Sequence, residues 1–308
     1  PKNRGDTLRV SPFLFGNMER GGGFSVDSFV SVVIPTYNRP YPLAELLESL
    51  SRQTYRSFEV IVVNDGGVPV HDVVALYPEL EIRLIDRCNE GHVTARNVGV
   101  QAARGEYIML CDDDDLLLPC HLERMVPALE HADFAYSDAE IVQYRVENDQ
   151  RLPMARFLFA YEYDLEAMRT FSTYIPSGSV YRKALHDEIG YFDVSVHHYW
   201  DWDFFLRAAS ACRVTRVAAA TVLYAFSPDG DNMSRQMGDK RRHYLRRLCE
   251  KHGLGDLPVK NFWLLLDEPE VARRRTESEV IWDGQPMVSR FWTQKKRATI
   301  DRSFLGLL

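Results

Sequence analysis

Four consecutive carboxylates, Asp112-Asp113-Asp114-Asp115, follow directly on the apolar run Tyr107-Ile108-Met109-Leu110-Cys111. Negative charge stacked at the end of a buried strand is costly unless something cationic sits against it. Two carboxylates with one residue between them, at the carboxyl end of such a strand, suit a hard divalent cation. Mg²⁺ or Mn²⁺ takes oxygen ligands from one or two carboxylates together with the phosphates of a substrate. The plainer alternative is a solvated acidic turn in which Asp115 caps the helix that follows Pro119.

What positions the acidic run is an alternation of strands and helices. Val30-Ser31-Val32-Val33-Ile34 is a β-branched run closed by Pro35, the pattern of a buried parallel strand. Pro42 opens a helix whose Leu43, Leu46, Leu47 and Leu50 form one apolar stripe. Phe58 to Val63 reads as a second strand ending at the turn Asn64-Asp65-Gly66-Gly67, and Glu81 to Asp86 as a third. A helix through Ala95, Val98, Gly99 and Ala102 presents a small-residue face to a sheet, Gly105 stops it, and Glu106 to Cys111 is the next strand. Phe134-Ala135-Tyr136 is a further one. The rhythm predicts an α/β fold with a doubly wound, mostly parallel sheet flanked by helices, binding its ligand at the carboxyl ends of the strands. Thr36 to Arg39, Asn64-Asp65 and Asp112 to Asp115 all fall at such ends, which raises the acidic run above a solvated turn. No Gly-x-Gly-x-x-Gly follows the first strand and no Walker loop is present, so a dinucleotide-dependent dehydrogenase is not expected.

Composition narrows the class. A chain of 308 residues, 45% hydrophobic and 26% charged, has the make-up of a globular protein with a full core. Its net charge of −7 argues against a general nucleic-acid binder. The charge is uneven: residues 235–308 carry +6 and residues 1–234 carry −13. Five widely spaced cysteines without a Cys-x-x-Cys pair suggest neither a disulfide framework nor a zinc site, and fit a reducing cytoplasm. No apolar run reaches the roughly 18–20 residues of a membrane span. Residues 1–28 read as a polar, Gly-rich extension without the apolar core of a signal peptide.

Six stretches in order resemble the family-2 inverting glycosyltransferases of the GT-A fold: Val32 to Arg39, Val62 to Gly66, Ala95 to Gly99, Gly105 to Ile108 with the Asp-rich loop, Gly190 to Asp193, and Trp200 to Arg207. The resemblance covers residues 29–235. It implies a nucleotide-sugar-binding half at 29–138, an acceptor-binding half at 139–235, and transfer of a sugar from a nucleotide diphosphate to an acceptor hydroxyl. Residues 236–308 then form a helical, basic C-terminal extension.

Mapped residue by residue, the resemblance assigns the nucleotide to Pro35, Thr36, Tyr37, Arg39, Asp65 and Arg96, with Asp112 and Asp113 beside them. A carboxylate can accept the ring N–H of uracil, so Asp65 tilts the donor toward a UDP-sugar. Asp65 as an Asx-turn residue and Tyr37 as packing remain open. The family's Asp-x-Asp falls on Asp112 and Asp114, with Asp114 the direct ligand of Mn²⁺ or Mg²⁺ and Asp115 supporting the loop. Because four aspartates permit a one-residue shift, Asp113/Asp115 is the fallback pair. The general base maps to Asp201, with Asp203 next in line; capping of the helix before Phe204 is the structural alternative. Trp200 stands where the family commonly has an acid. The aromatic wall and the Ser177-Gly178 stretch suit a sugar, which assigns Trp200, Trp202, Ser177 and Gly178 to the acceptor.

A second departure lies downstream. The family's basic residues before Asn-x-Ser are absent ahead of Asp231-Asn232-Met233-Ser234, which leaves Arg235, Lys240 or the metal to assist the diphosphate. His197 and His198 lie near the expected base. Arg241 to Lys251 reads as a basic helix, and Phe262 to Leu266 as a short buried or partner-facing segment. Arg273-Arg274-Arg275 and Phe291-Trp292 with Lys295-Lys296-Arg297 would suit peripheral contact with an anionic membrane carrying a lipid-linked acceptor. A homodimer contact or a lid fits equally. Against the transferase stand two rivals: a catalytically silent nucleotide-sugar-binding protein, and a sugar-1-phosphate nucleotidyltransferase, whose early Gly-rich phosphate loop is missing here.

Overall fold

The computed structural model describes residues 28–226, 238–260 and 266–296. The expected N-terminal extension, the Asn232/Ser234 loop with Arg235, and most of Phe262 to Leu266 lie outside these residues.

The chain lays down β1 (Val30–Thr36), α1 (Pro40–Ser51), β2 (Phe58–Asp65), α2 (His71–Val74), β3 (Ile82–Arg87), α3 (His92–Ala102) and β4 (Tyr107–Leu110). There follow β5 (Leu116–Leu117), α4 (His121–Ala128), β6 (Phe134–Glu147), β7 (Gln150–Phe159), α5 (Leu165–Met168), β8 (Val180–Arg182) and α6 (Leu185–Ile189). A 3₁₀ turn (Val194–Tyr199) leads into α7 (Trp200–Ala211), then β9 (Val214–Phe226), α8 (Asp239–His252) and, past a short helix, β10 (Glu279–Val280). The sheet runs β10-β9-β6-β8-β4-β1-β2-β3, with β7 paired to β6 and β5 to β9. Strands β1 to β4 are parallel; β8 runs antiparallel between β4 and β6.

Every residue of β1 is buried, and alternate side chains feed opposite layers, as the two-residue period of a strand requires. Val32 and Ile34 pack with the fully buried stripe Leu43, Leu46, Leu47 and Leu50 of α1, whereas Val33 packs with α3 and α7 on the other face. Each such leucine, buried, stabilises the fold by about 1.5–3 kcal/mol. Helix α1 starts at Pro40, two residues before the proline expected to open it. The small face of α3 is needed: a Cβ on Gly99 would lie 2.4 Å from Val33 Cγ1.

Two expectations are corrected. The strand foreseen at Phe134 to Tyr136 runs on for 14 residues and turns back as β7 through Asn148 and Asp149, both with positive φ. Helix α4 has Cys120, not Asp115, at its N-cap. The division at 138/139 falls inside β6, so both halves share one sheet. The C-terminal extension begins with the basic helix α8 and also contributes β10, parallel to β9.

Candidate active site

Parallel pairing sets the carboxyl ends of β2, β1 and β4 side by side, with Thr36 opposite Asn64 and Val33 opposite Leu110. Beyond those ends opens a cavity of about 530 Å³. Its lining includes Pro35, Thr36, Tyr37, Arg39 and Asp65, with Arg96 and Asp112 to Asp114, and Trp200, Asp201 and Trp202 from the start of α7. The sequence therefore placed most of its candidates on one space. Tyr37, 49% exposed, faces that space rather than packing into the core.

The four aspartates divide sharply. Asp112 accepts from Arg96 Nη2, while its own backbone N–H donates to Ser177 Oγ at 3.0 Å. Asp113 is buried and turned to the first strand, accepting from Thr36 Oγ1 at 2.7 Å and Arg39 at 3.2 Å. Asp114 accepts from Arg39 at 2.8 Å. Asp115 is buried beneath the loop, where one oxygen accepts from the Ala225 N–H at 2.9 Å and the other from Ser177 Oγ. Carboxyl oxygens of Asp112, Asp114 and Asp115 lie within 4.8 Å of one another, and Asp113 is outside that group. An all-carboxylate oxygen set of this kind fits a hard divalent cation. Burial first, then the Asp114 carboxylate, pushes the pKa values of Asp113 and Asp115 up. The loop thus crowds negative charge, with Arg39 paired to Asp113 and Asp114 and Arg96 to Asp112.

Asp65 accepts the backbone N–H groups of Glu90 at 3.0 Å and Gly91 at 2.8 Å, so it shapes the β3–α3 loop while lining the cavity. Arg96 is buried and ties three groups together. It donates to Asp112, donates to His92 Nδ1 at 2.6 Å, and lies 4.0 Å from the Trp200 ring centroid. Accepting that hydrogen bond keeps His92 neutral; burial, then Arg96, drives its pKa down to about 2.

Asp201 is half-buried in the first turn of α7, and its backbone carbonyl accepts from Tyr174 Oη at 2.8 Å. Burial, aided by the Asp112 charge, pushes its pKa up to about 6. The runner-up is differently placed. Asp203 is fully buried and bonds Arg207 at 2.9 Å, Lys251 at 2.7 Å and His252 at 2.8 Å, a structural hub away from the cavity.

Two acceptor candidates also lie off the cavity. Ser177 is buried between Asp112 and Asp115. Gly178 has a φ of +80°, and a Cβ there would lie 2.6 Å from the His121 ring and from Val222. Both build the floor under the acidic loop. Trp202 lines the cavity with its indole N–H donated to the Met168 carbonyl at 2.8 Å. His198 reaches the cavity edge, and His197 packs between His92 and Tyr244.

The sequence missed Arg241, Leu245 and Lys260, which extend the cavity beyond Asp201. The basic helix was foreseen, but its single inward face carries no motif. Lys240 is exposed, and it is the next residue, Arg241, that turns inward and donates to Tyr199 Oη at 3.1 Å. Part of the expected membrane patch is taken up inside the fold. Phe291 is buried against Tyr41, Trp292 Nε1 donates to the Asn148 carbonyl, and Arg274 binds Thr173 and the Glu162 carbonyl. Among the described residues no helix is long and apolar enough to cross a membrane.

A mostly parallel sheet with an acidic loop at its strand ends, and a further carboxylate lining the same cavity, has the form of a GT-A-type glycosyltransferase. The chain belongs to glycosyl transferase family 2, whose model matches residues 31–190. It is 60% identical to a Bacillus subtilis protein named uncharacterized glycosyltransferase YwdF, over 85% of this chain and 98% of that one. It is 29% identical to the poly(ribitol-phosphate) beta-N-acetylglucosaminyltransferase TarS of Staphylococcus aureus, over 66% of this chain and 36% of that protein. The crystal structure of TarS 1–349 in complex with UDP-GlcNAc superposes with a TM-score of 0.57 at 22% identity, covering 80% of this chain and 69% of that one. The chain is thus a glycosyltransferase, and the nucleotidyltransferase alternative falls away.

Proposed function

We propose that this enzyme moves a sugar from a UDP-sugar to a hydroxyl of a saccharide or lipid-linked acceptor by a single inverting displacement, with Asp201 as general base. The observation that carries this reading is Asp201 itself: a carboxylate of raised pKa that lines the same cavity as the acidic loop. A base with a pKa near 6 is ionised at neutral pH, yet basic enough to draw the proton from an attacking hydroxyl. Asp65, Thr36, Tyr37 and Arg39 hold the nucleotide, and Trp200 and Trp202 offer the acceptor sugar an aromatic face. The UDP-GlcNAc complex of TarS supports a uridine nucleotide as donor.

Asp112 and Asp114 would hold Mn²⁺ or Mg²⁺, with Asp115 beneath them as support. Bound there, the cation would neutralise charge developing on the diphosphate. Arg96 orients both sides of the site, gripping Asp112 and stacking under Trp200, the residue before the base.

Asp201→Asn tests the assignment. Donor binding, measured by the thermal shift with UDP-sugar and Mn²⁺, is expected to persist, while transfer drops by about 10²–10⁴-fold. Transfer at the wild-type rate would remove Asp201 from the mechanism. Absence of stabilisation by any nucleoside diphosphate, with or without Mn²⁺, would remove the donor reading itself.

A further inference from the structure

The strand β7 carries one residue that no motif points to. It lies outside the main sheet path, paired only with β6, and much of its length is half-exposed or exposed. Yet its second residue, Arg151, turns inward, with its side chain only 11% exposed. Its Nη1 donates to the backbone carbonyl of Asp114 at 2.5 Å, its Nε donates to Glu45 on α1, and its guanidinium stands 4.9 Å from the Tyr144 ring centroid. Glu45 is itself buried. The hairpin tip that presents Arg151 is pinned from outside: Trp292 Nε1 donates to the Asn148 carbonyl at 2.7 Å.

A buried ion pair is a poor way to add stability, because well-packed apolar residues of similar volume serve a core as well or better. This pair has a more particular contact. Strand β4 ends at Leu110, so Asp114 sits in a turn, and Arg151 grips the peptide that joins the cavity-lining Asp114 to the buried Asp115. A peptide rotated there would turn the Asp114 carboxylate away from Asp112.

We propose that Arg151 is a positioning residue for the cation corner: through the Asp114 carbonyl it fixes the direction of the Asp114 carboxylate, and Glu45 fixes Arg151. The β6–β7 hairpin, most of which follows the donor half in sequence, is thereby a working part of it. This inference rests on the reading of Asp112 and Asp114 as the residues that hold a divalent cation.

The test is a titration of the full chain with MnCl₂ in the presence of UDP, read by the electron paramagnetic resonance of free Mn²⁺, which needs no turnover. Arg151→Met would strand Glu45 in the interior, so the informative protein is the double variant Glu45→Met with Arg151→Met, which removes both charges together. It is expected to keep a wild-type melting temperature and to bind Mn²⁺ about 10–100-fold more weakly, the range for lost supporting contacts around a metal ligand. A purely structural role would move the melting temperature and leave the affinity alone. A double variant that is folded and binds Mn²⁺ as the wild type does overturns the inference while leaving the cation site standing. A wild type that binds no Mn²⁺ with UDP present overturns both.

Discussion

Asp201 owes its pKa of about 6 first to burial and then to the Asp112 charge. Its protonated form cannot accept a proton, so the acid limb of kcat/KM is expected to bend near pH 6 and fall about tenfold per unit below it. Activity rises through that pH and then levels, since the base stays ionised above it. Measured pH profiles of kcat/KM for the wild type check this; a limb at the ordinary carboxylate value would show Asp201 to be solvated in the free enzyme. At this scale the sequence was informative where residues sit at strand ends, because a strand's direction tells where its last side chains go. It was silent on the setting of Ser177 and Gly178, which lie beneath the acidic loop. Only the fold reveals that Asp115 and His121 close over them.

Helix α8 is held to α7 by charge as well as by the apolar cluster of Leu245 and Leu248 with Trp202 and Leu206. Asp203 gathers Arg207, Lys251 and His252 in the interior, and Lys251 also reaches Asp193. Removing the shared carboxylate leaves the mostly buried Arg207 guanidinium without its counter-charge, so Asp203→Ala is expected to cost about 3–5 kcal/mol in urea unfolding. Because α8 brings Arg241 and Leu245 to the cavity, the variant should also lose acceptor affinity before donor affinity. A second element-level expectation concerns acid. Burial opposes it, but Lys251 and Ser195 hold the Asp193 pKa down to about 2, against 3.8 for the free side chain. The folded form binds that proton less readily than the unfolded chain, so this contribution is complete above pH 4 and lost as the pH falls toward about 2. Lys251→Met should flatten that part of the stability–pH curve. The parallel strands and α1 were legible because their burial is regular. The ribbon β6–β7 was not. Pro153 reads as a strand breaker, and it is tolerated because the register shifts there, with Tyr144 opposite Pro153 and Gln143 opposite Ala155.

On the scale of the whole molecule, one sheet passes through both chemical halves, with β8 returning to lie between β4 and β6. Continuous pairing of this kind couples the donor and acceptor sides mechanically. Urea unfolding followed by tryptophan fluorescence, whose five reporters all lie at or beyond residue 200, and by far-ultraviolet circular dichroism should give coincident transitions. Separate midpoints would mean that the halves are independent units. Saturating UDP at about 100 times its Kd should raise the single transition by about 2.7 kcal/mol. The βαβ order was readable from residues 29–138, where β1, β2 and β4 are buried and mostly apolar. Strands β8 and β9 were not, since β8 is three residues long and β9 opens on half-exposed positions.

Strand β10 consists of Glu279 and Val280, and it lies along Ala219 and Ala220 of β9. Chains emerge from the ribosome amino end first, so β9 is made some sixty residues before its cover. During that interval a row of peptide groups on β9 is open, able to pair with the same row on another nascent chain. The order of synthesis therefore creates a window of vulnerability to aggregation, one that closes only when the last described strand is delivered.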